Sequence, residues 1–548
     1  MNKKLLFILI LIIAMVTRFY MLGKAPAGLY LDEAGQGYSA FSILQTGKDE
    51  FEKAFPMVFR SFTDFKTPVY IYLIVPLIPV FGLNAFTVRL PSFIFSILTF
   101  PVFYLLILEL LKKNLNTKYY LLSTIASLLL AISPWHILFG RTNFECNVAL
   151  FFLLSGVLTF YISLTKPKLL ILSAILFAVA IPAYHAQRVI TPLFVIILFL
   201  RFRKILLSKS HIKYLIIGAI LGFLILLPTF KVATTPGFLA RASLNIFSWE
   251  KQKPAGFIEN APQILNSPVL LSTVEFLSLY SSYFSPRNMF ILGDYGPRSS
   301  FPYLSTFFVW QFPFYIYGLY LLIKRKDLGE LKFFTIAFLL IAPIPAAVTR
   351  DPYTTIRALQ MVIPQIIVIS IGLLSVWEKI KSLNLRRFTL LLFYLLLFYS
   401  LLKLYSSVII LNEYFRGKDW NYGWQEAVQV LQNTNQSLPV IVDNSRDEPY
   451  IQLAFFLKYD PEKYQRENFE VPVEQYYINM NREKEKHLGR IITRPINWEK
   501  DLLIEQYLVG DELAISLQQI KEHNLELIEE INYPDGSVAL RILKTNPN

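Results

Sequence analysis

The chain has 548 residues, of which 54% are hydrophobic, 15% aromatic and 17% charged, and its mean hydropathy is +0.45. Soluble domains carry about 25% charge and lack continuous apolar runs of this length, so the composition excludes an ordinary soluble enzyme and places the protein among helical multi-pass membrane proteins. The net charge of +14 has no basic run long enough to hold nucleic acid, and the single cysteine, Cys146, excludes an internal disulfide or a cysteine-based metal cluster.

The first element is a basic start, Lys3 and Lys4, followed by an apolar run over 5–22. It is similar to a signal peptide, but no small-residue cleavage site follows, so a retained first span is expected. Next comes a predicted outer loop, 18–88, carrying Asp32 and Glu33 in Leu29-Tyr30-Leu31-Asp32-Glu33-Ala34-Gly35 and Lys66 in Asp64-Phe65-Lys66-Thr67-Pro68. Within it, 68–83 is apolar but short and interrupted by Pro68, Pro76, Pro79 and Gly82, which predicts a juxtamembrane or re-entrant helix. Further spans are predicted at 89–111, 119–136, 147–165, 169–184, 189–202 and 212–229. A second long loop, 230–302, follows, and such loops are usually functional. The last spans fall at 303–322, 331–348, 356–376 and 388–411, giving about eleven in all.

Charge sets the expected orientation. With the N-terminus inside, every short inner loop is basic: Lys112, Lys113 and Lys118; Lys166 and Lys168; Arg201, Arg203, Lys204 and Lys209; Lys324, Arg325 and Lys326; Lys379, Lys381, Arg386 and Arg387. Counting 68–83 as a crossing breaks this pattern. The final region, 412–548, holds 15 basic and 23 acidic residues, leaving 38 basic and 16 acidic before it. Its helical stretch 423–432, strand-like 439–442 and second helical stretch 450–457 predict a small α/β domain outside the membrane. No Gly-x-Gly-x-x-Gly occurs anywhere in the chain, and no solenoid repeat is evident.

This topology gathers polar groups on the outer face. They are Asp32 and Glu33; Lys66; Arg141 and Glu145 at the end of the third span and the start of the fourth; Tyr184, His185 and Arg188 after the fifth; and Arg350 and Arg357 between the ninth and tenth. Ionisable groups beside a bilayer are costly unless they meet water, a partner or a substrate. Carboxylates and cations at one depth suit a phosphorylated lipid and a hydroxyl nucleophile: cations stabilise a departing phosphate, and a carboxylate takes the hydroxyl proton as the new bond forms. Each residue also has a plainer reading. Glu33 suits a helix cap, Lys66 a snorkelling interfacial lysine, Glu145 a helical pair with Arg141, and His185 a structural hydrogen-bonder. Asp32 and Glu145 could share a divalent ion, but Asp-x-Asp spacing is absent near Asp32 and the cations make a metal unnecessary, so no cofactor is expected.

In this order and sidedness, Asp32-Glu33, Lys66-Thr67-Pro68, Val88-Arg89-Leu90-Pro91-Ser92, Arg141 to Asn147 and Arg357 to Pro364 resemble the motifs of the integral-membrane glycosyltransferases of the C superfamily. The resemblance is to the protein O-mannosyltransferase and aminoarabinose transferase branch and its bacterial relatives, and covers about 1–411. It implies that superfamily's helical fold and inverting transfer of a sugar from a polyprenyl-phosphate donor to a glycan, lipid or protein acceptor. By the resemblance Asp32 is the general base, Glu33 supports it or binds the acceptor, Lys66 binds the carrier phosphate, and Glu145 is the second acid of the site. Relatives often carry two prolines after the lysine; Thr67 replaces the first here. From the residues alone, Arg357 and Arg350 join Lys66 as phosphate-binding candidates, and Tyr184, His185 and Arg188 are candidates for acceptor or sugar contact. The competing class is a transporter or flippase of a lipid-linked or polar solute. That class places charges at the midplane of two repeated halves, which this sequence does not show.

Overall fold

The computed structural model describes residues 3–62, 64–112, 117–239, 262, 264, 267–349, 352–468, 472–478 and 485–547. The chain forms two compact units. One comprises 1–20, 92–234 and 239–407; the other comprises 21–91, 235–238 and 408–548. The segment 21–91 thus groups with the C-terminal region, a long-range association that chain order does not reveal.

The first unit is helical. Each of the eleven apolar segments contains a helix, beginning with Lys3–Phe19 and ending with Leu383–Tyr405. Among the described residues, six helices are long and apolar enough to cross a membrane: Ala85–Leu110, Glu145–Ser163, Ile212–Val232, Gly329–Val348, Leu359–Lys379 and Leu383–Arg416. The protein is a multi-pass membrane protein. Two sequence expectations change. The segment 303–322 becomes helical only from 309, because the Ser305 and Thr306 hydroxyls and the Phe307 N–H all donate to the Met289 carbonyl instead of entering a helix. The loop 230–302 contains a helix, Pro268–Ser282, begun by proline at its first position.

Helices of this unit approach closely where side chains are small. A Cβ on Gly318 would stand 1.9 Å from the Val368 carbonyl oxygen, so only glycine lets Phe312–Lys324 lie against Val362–Lys379. Two buried arginines close helix ends whose last carbonyls have no partner within the helix. Arg18 donates to the carbonyls of Leu130 and Ala131, at 3.0 Å each, and meets His136 Nδ1 at 2.8 Å. Arg141 in turn donates to the carbonyls of Thr17 (3.0 Å), Arg18 (3.2 Å) and Tyr20 (2.8 Å).

The second unit has eight strands among its described residues: β1 (Phe59–Ser61), β2 (Asp64–Lys66), β3 (Val440–Val442), β4 (Lys486–Leu488), β5 (Ile491–Thr493), β6 (Tyr507–Gly510), β7 (Glu526–Asn532) and β8 (Val538–Lys544). β1 and β2 form a hairpin with Phe59 opposite Lys66. The other six make one mixed sheet in the order β4-β5-β3-β6-β8-β7, with β3 parallel to both β5 and β6. Ile441, Leu508 and Leu543 bury one face of this sheet with Ile515 and Leu525. The α/β reading of this region holds: Trp424–Asn433, β3 and Pro449–Leu457 fall where the apolar periods put them. The run 68–83 breaks into Pro68–Ile74, a 3-10 turn Val75–Leu77 and Ile78–Phe81. At about 1.5 Å per residue this piece is too short for about 30 Å of hydrocarbon.

A buried acid ties the start of this unit to its C-terminal part. Asp49 accepts hydrogen bonds from the backbone of Phe51 and Lys53 and from the Tyr476 hydroxyl, which itself accepts from Arg60 N–H. Burial pushes Asp49 up to about 6, against the pull of those hydrogen bonds and of the Lys53 charge. The native state therefore binds a proton more tightly than the unfolded chain, whose carboxyl titrates near 3.8. Stability from this group is complete below that value and is lost as pH rises through about 6, by about 3 kcal/mol. Asp49→Asn is expected to flatten this slope, read as the denaturation midpoint of the solubilised protein at pH 4 and 7.

Candidate active site

The helix Leu31–Thr46 presents Asp32 and Glu33 in its first turn, where its dipole favours carboxylates. The two side chains diverge. Asp32 Oδ2 pairs with Lys66 Nζ at 2.7 Å, with the side chains 20% and 11% exposed. Its second oxygen takes no hydrogen bond among the described residues. Lys66 comes from β2, whose pairing with β1 fixes its register, and Pro68 starts a helix two residues on. Asp64 lies 4.0 Å from the same ammonium.

Glu33 is fully buried. Its two oxygens meet the Arg89 guanidinium as a fork, at 2.9 Å to Nε and 2.8 Å to Nη2. The Tyr30 N–H also donates to Glu33, at 3.2 Å, as a helix cap would require. Arg89 spends its remaining hydrogens on the carbonyls of Leu22, Pro26 and Gly28. The approach to Asp32 is held further by distant residues of the same unit. Asn421 accepts from Leu31 N–H at 3.2 Å, and Gln452 donates to the Leu29 carbonyl at 2.8 Å. Gly28 has φ +85°, and a Cβ there would lie 2.3 Å from the Trp420 carbonyl oxygen. None of Arg89, Asn421, Gln452 or Trp420 carries a sequence signal for this role. Only Arg89 sits in a motif the sequence singles out.

The remaining candidates lie in the first unit. Glu145 opens the helix Glu145–Ser163 and is buried at its N-terminus. Tyr184 ends the following Leu169–Ala183 helix and donates to the Ile356 carbonyl at 3.2 Å, beside Arg357. His185 neighbours the Tyr184 ring, and Arg188 lies in the first turn of Gln187–Leu206. Arg357 donates to Thr349 Oγ1 at 2.7 Å. Arg350 lies outside the described residues. Sequence reasoning missed Asp294, a partly buried acid that accepts from the Thr355 N–H and hydroxyl at 2.7 and 2.8 Å. Burial raises its pKa, while those hydrogen bonds, one from Gly296 and the charge of Arg357 lower it. Among the described residues no three His, Cys, Asp or Glu side chains gather as a metal site.

Long apolar helices and a C-terminal sheet domain make up a fold that this chain shares with solved membrane-protein structures. The chain resembles the solved structure of ArnT from Cupriavidus metallidurans in the apo state, with TM-score 0.53 and 12% identity over 99% of each chain. The same values relate it to that ArnT bound to undecaprenyl phosphate. The oligosaccharyltransferase AglB from Archaeoglobus fulgidus, in complex with an inhibitory peptide and a dolichol-phosphate, gives a TM-score of 0.47 at 14% identity, covering 88% of this chain and 61% of that one. No protein-family model and no curated protein matches the sequence.

Proposed function

We propose that this protein transfers a sugar from a polyprenyl-phosphate-linked donor to an acceptor hydroxyl at the outer face of the cell membrane, with inversion at the sugar carbon. The observation that carries the reading is the Asp32–Lys66 pair, 2.7 Å apart at the start of a helix that Glu33 anchors from within. One Asp32 oxygen is engaged by the ammonium; the other is the proton acceptor for the attacking hydroxyl. Lys66 meets the carrier phosphate and offsets the charge that grows on it as the glycosidic bond breaks. Glu33 acts through position: buried and forked by Arg89, it sets the direction of the turn bearing Asp32. Glu145 is assigned as the second acid of the site, Arg357 and Arg350 to binding the donor phosphate, and Tyr184, His185 and Arg188 to the acceptor or sugar. The likeness in fold to an ArnT bound to undecaprenyl phosphate supports a carrier of this class. The basic short loops support about eleven crossings with the N-terminus inside and 412–548 outside.

The test is release of free polyprenyl phosphate from polyprenyl-phosphate sugars by purified protein. Lys66→Ala is expected to weaken donor use by about tenfold to a hundredfold, read as kcat/KM, with the protein still folded. No release from any donor of this class, with any acceptor, would reject the proposal. Asn421→Ala removes an acceptor from Leu31 and is expected to lower kcat more than KM while costing about 1–3 kcal/mol of stability.

A further inference from the structure

The first unit holds an apolar cavity of about 260 Å³ that the proposed transfer does not use. Its walls include Trp310, Phe314, Leu373, Trp377, Leu390 and Phe393. This approaches the lower end of ligand cavities, about 300 Å³. The polar atoms at its edge are already satisfied: Trp310 Nε1 donates to Ser400 Oγ at 3.0 Å, and the Thr389 hydroxyl donates to the Leu385 carbonyl at 2.8 Å. A cavity with no polar group to offer stays dry and takes hydrocarbon. It also opens outward, since Leu390 and Leu392 on its wall are 41% and 44% exposed.

One end of the cavity carries charge. Trp377 lies at the end of the helix Leu359–Lys379, next to the turn that leads into Leu383–Tyr405. Between 376 and 390 there are four cations, Lys379, Lys381, Arg386 and Arg387, against one acid, Glu378. One of the cations is oriented at the cavity's own wall and a second lies on a ring beside it. Arg386 stacks over the Trp377 ring at 5.7 Å and is tied by its Nε to the Ile380 carbonyl at 2.8 Å. Lys379 sits 4.9 Å from the centre of the Tyr317 ring, one turn along the helix from Phe314. A dry slot for a chain beside a cluster of cations matches one molecule with both parts. We propose that this cavity binds an anionic glycerophospholipid, with an acyl chain against Trp310 and Trp377 and the headgroup phosphate among Lys379, Lys381, Arg386 and Arg387. Basic pockets between membrane helices recognise anionic headgroups in this way, each cation contributing about fivefold in affinity.

The full-length protein in nanodiscs tests this, with lipids brominated on the acyl chain as quenchers of tryptophan fluorescence. Brominated phosphatidylglycerol at a low fraction in phosphatidylcholine is expected to quench more than brominated phosphatidylcholine at the same fraction. The preference should fall about fivefold in Arg386→Gln and further when Lys379→Gln is added. Leu390→Trp, which fills the slot from its exposed wall, should abolish retention of phosphatidylglycerol in native mass spectrometry. Equal quenching by both lipids in the wild type would overturn the proposal. So would an undiminished preference in the charge variants, or displacement of the bound lipid by polyprenyl phosphate, which would make the slot a carrier groove.

Discussion

Asp32→Asn is expected to lower turnover by a factor of about 10²–10⁴, the range a general base supplies. Asparagine keeps the size and one carbonyl acceptor for the Lys66 ammonium, which stands 2.7 Å away, but it cannot take up a proton. Donor affinity should change little or rise, because Lys66 is then freed from an opposing charge. The measurement is polyprenyl phosphate release at saturating donor, with protein amount and thermal midpoint followed in parallel. Wild-type turnover in this variant would remove Asp32 from the chemistry and return the carboxylate to a neutralising partner for Lys66. Asp32→Glu separates the two roles: it restores a base but moves it outward by one methylene. Partial recovery, well below wild type, is the outcome that a positioned base requires.

The second large effect is on folding. Arg89→Ala leaves the Glu33 carboxylate buried with no cation, and also strips donors from the carbonyls of Leu22, Pro26 and Gly28. Breaking one side of a buried pair costs about 3–5 kcal/mol. Glu33→Ala strands the guanidinium by the same amount. The double change Glu33→Leu with Arg89→Met replaces both charges by apolar groups of similar length, and is expected to be less damaging than either single truncation. Denaturant midpoints of the four proteins in detergent check this. If Arg89→Ala is as stable as the wild type, the pair is not what holds the first turn of Leu31–Thr46.

Much of the fold follows from short-range signals. Apolar runs located the eleven helix-bearing segments, and Pro68, Pro76 and Pro79 foretold a broken piece at 68–83. The short apolar run Val440-Ile441-Val442 placed β3, and helical stretches on either side placed its neighbouring helices. Asp32 and Lys66 were legible as candidates because charges near lipid are rare, and a hairpin brings them together across 34 positions. Glu33 was harder. Its neighbour in sequence shares its chemistry, and only the three-dimensional path of Arg89, 56 residues away, makes one acid internal and leaves the other accessible. The segment 303–322 looked like one span because hydropathy does not register hydroxyls that bond to the Met289 carbonyl. Asp294 escaped notice because a single aspartate in a long loop is ordinary; what distinguishes it is Thr355, 61 residues later, closing over its carboxylate.

The threads that hold Leu29 and Leu31 come from Gln452 and Asn421, 423 and 390 residues further along. A ribosome adding about 5–20 residues per second needs on the order of 20–80 s to go from one to the other. For that interval the nascent chain already carries its acid and its lysine but lacks the clasp that aims them. Any activity that depends on the aim of Asp32 therefore waits for Asn421 and Gln452 to be made, and a chain truncated before Asn421 is expected to be inserted but silent.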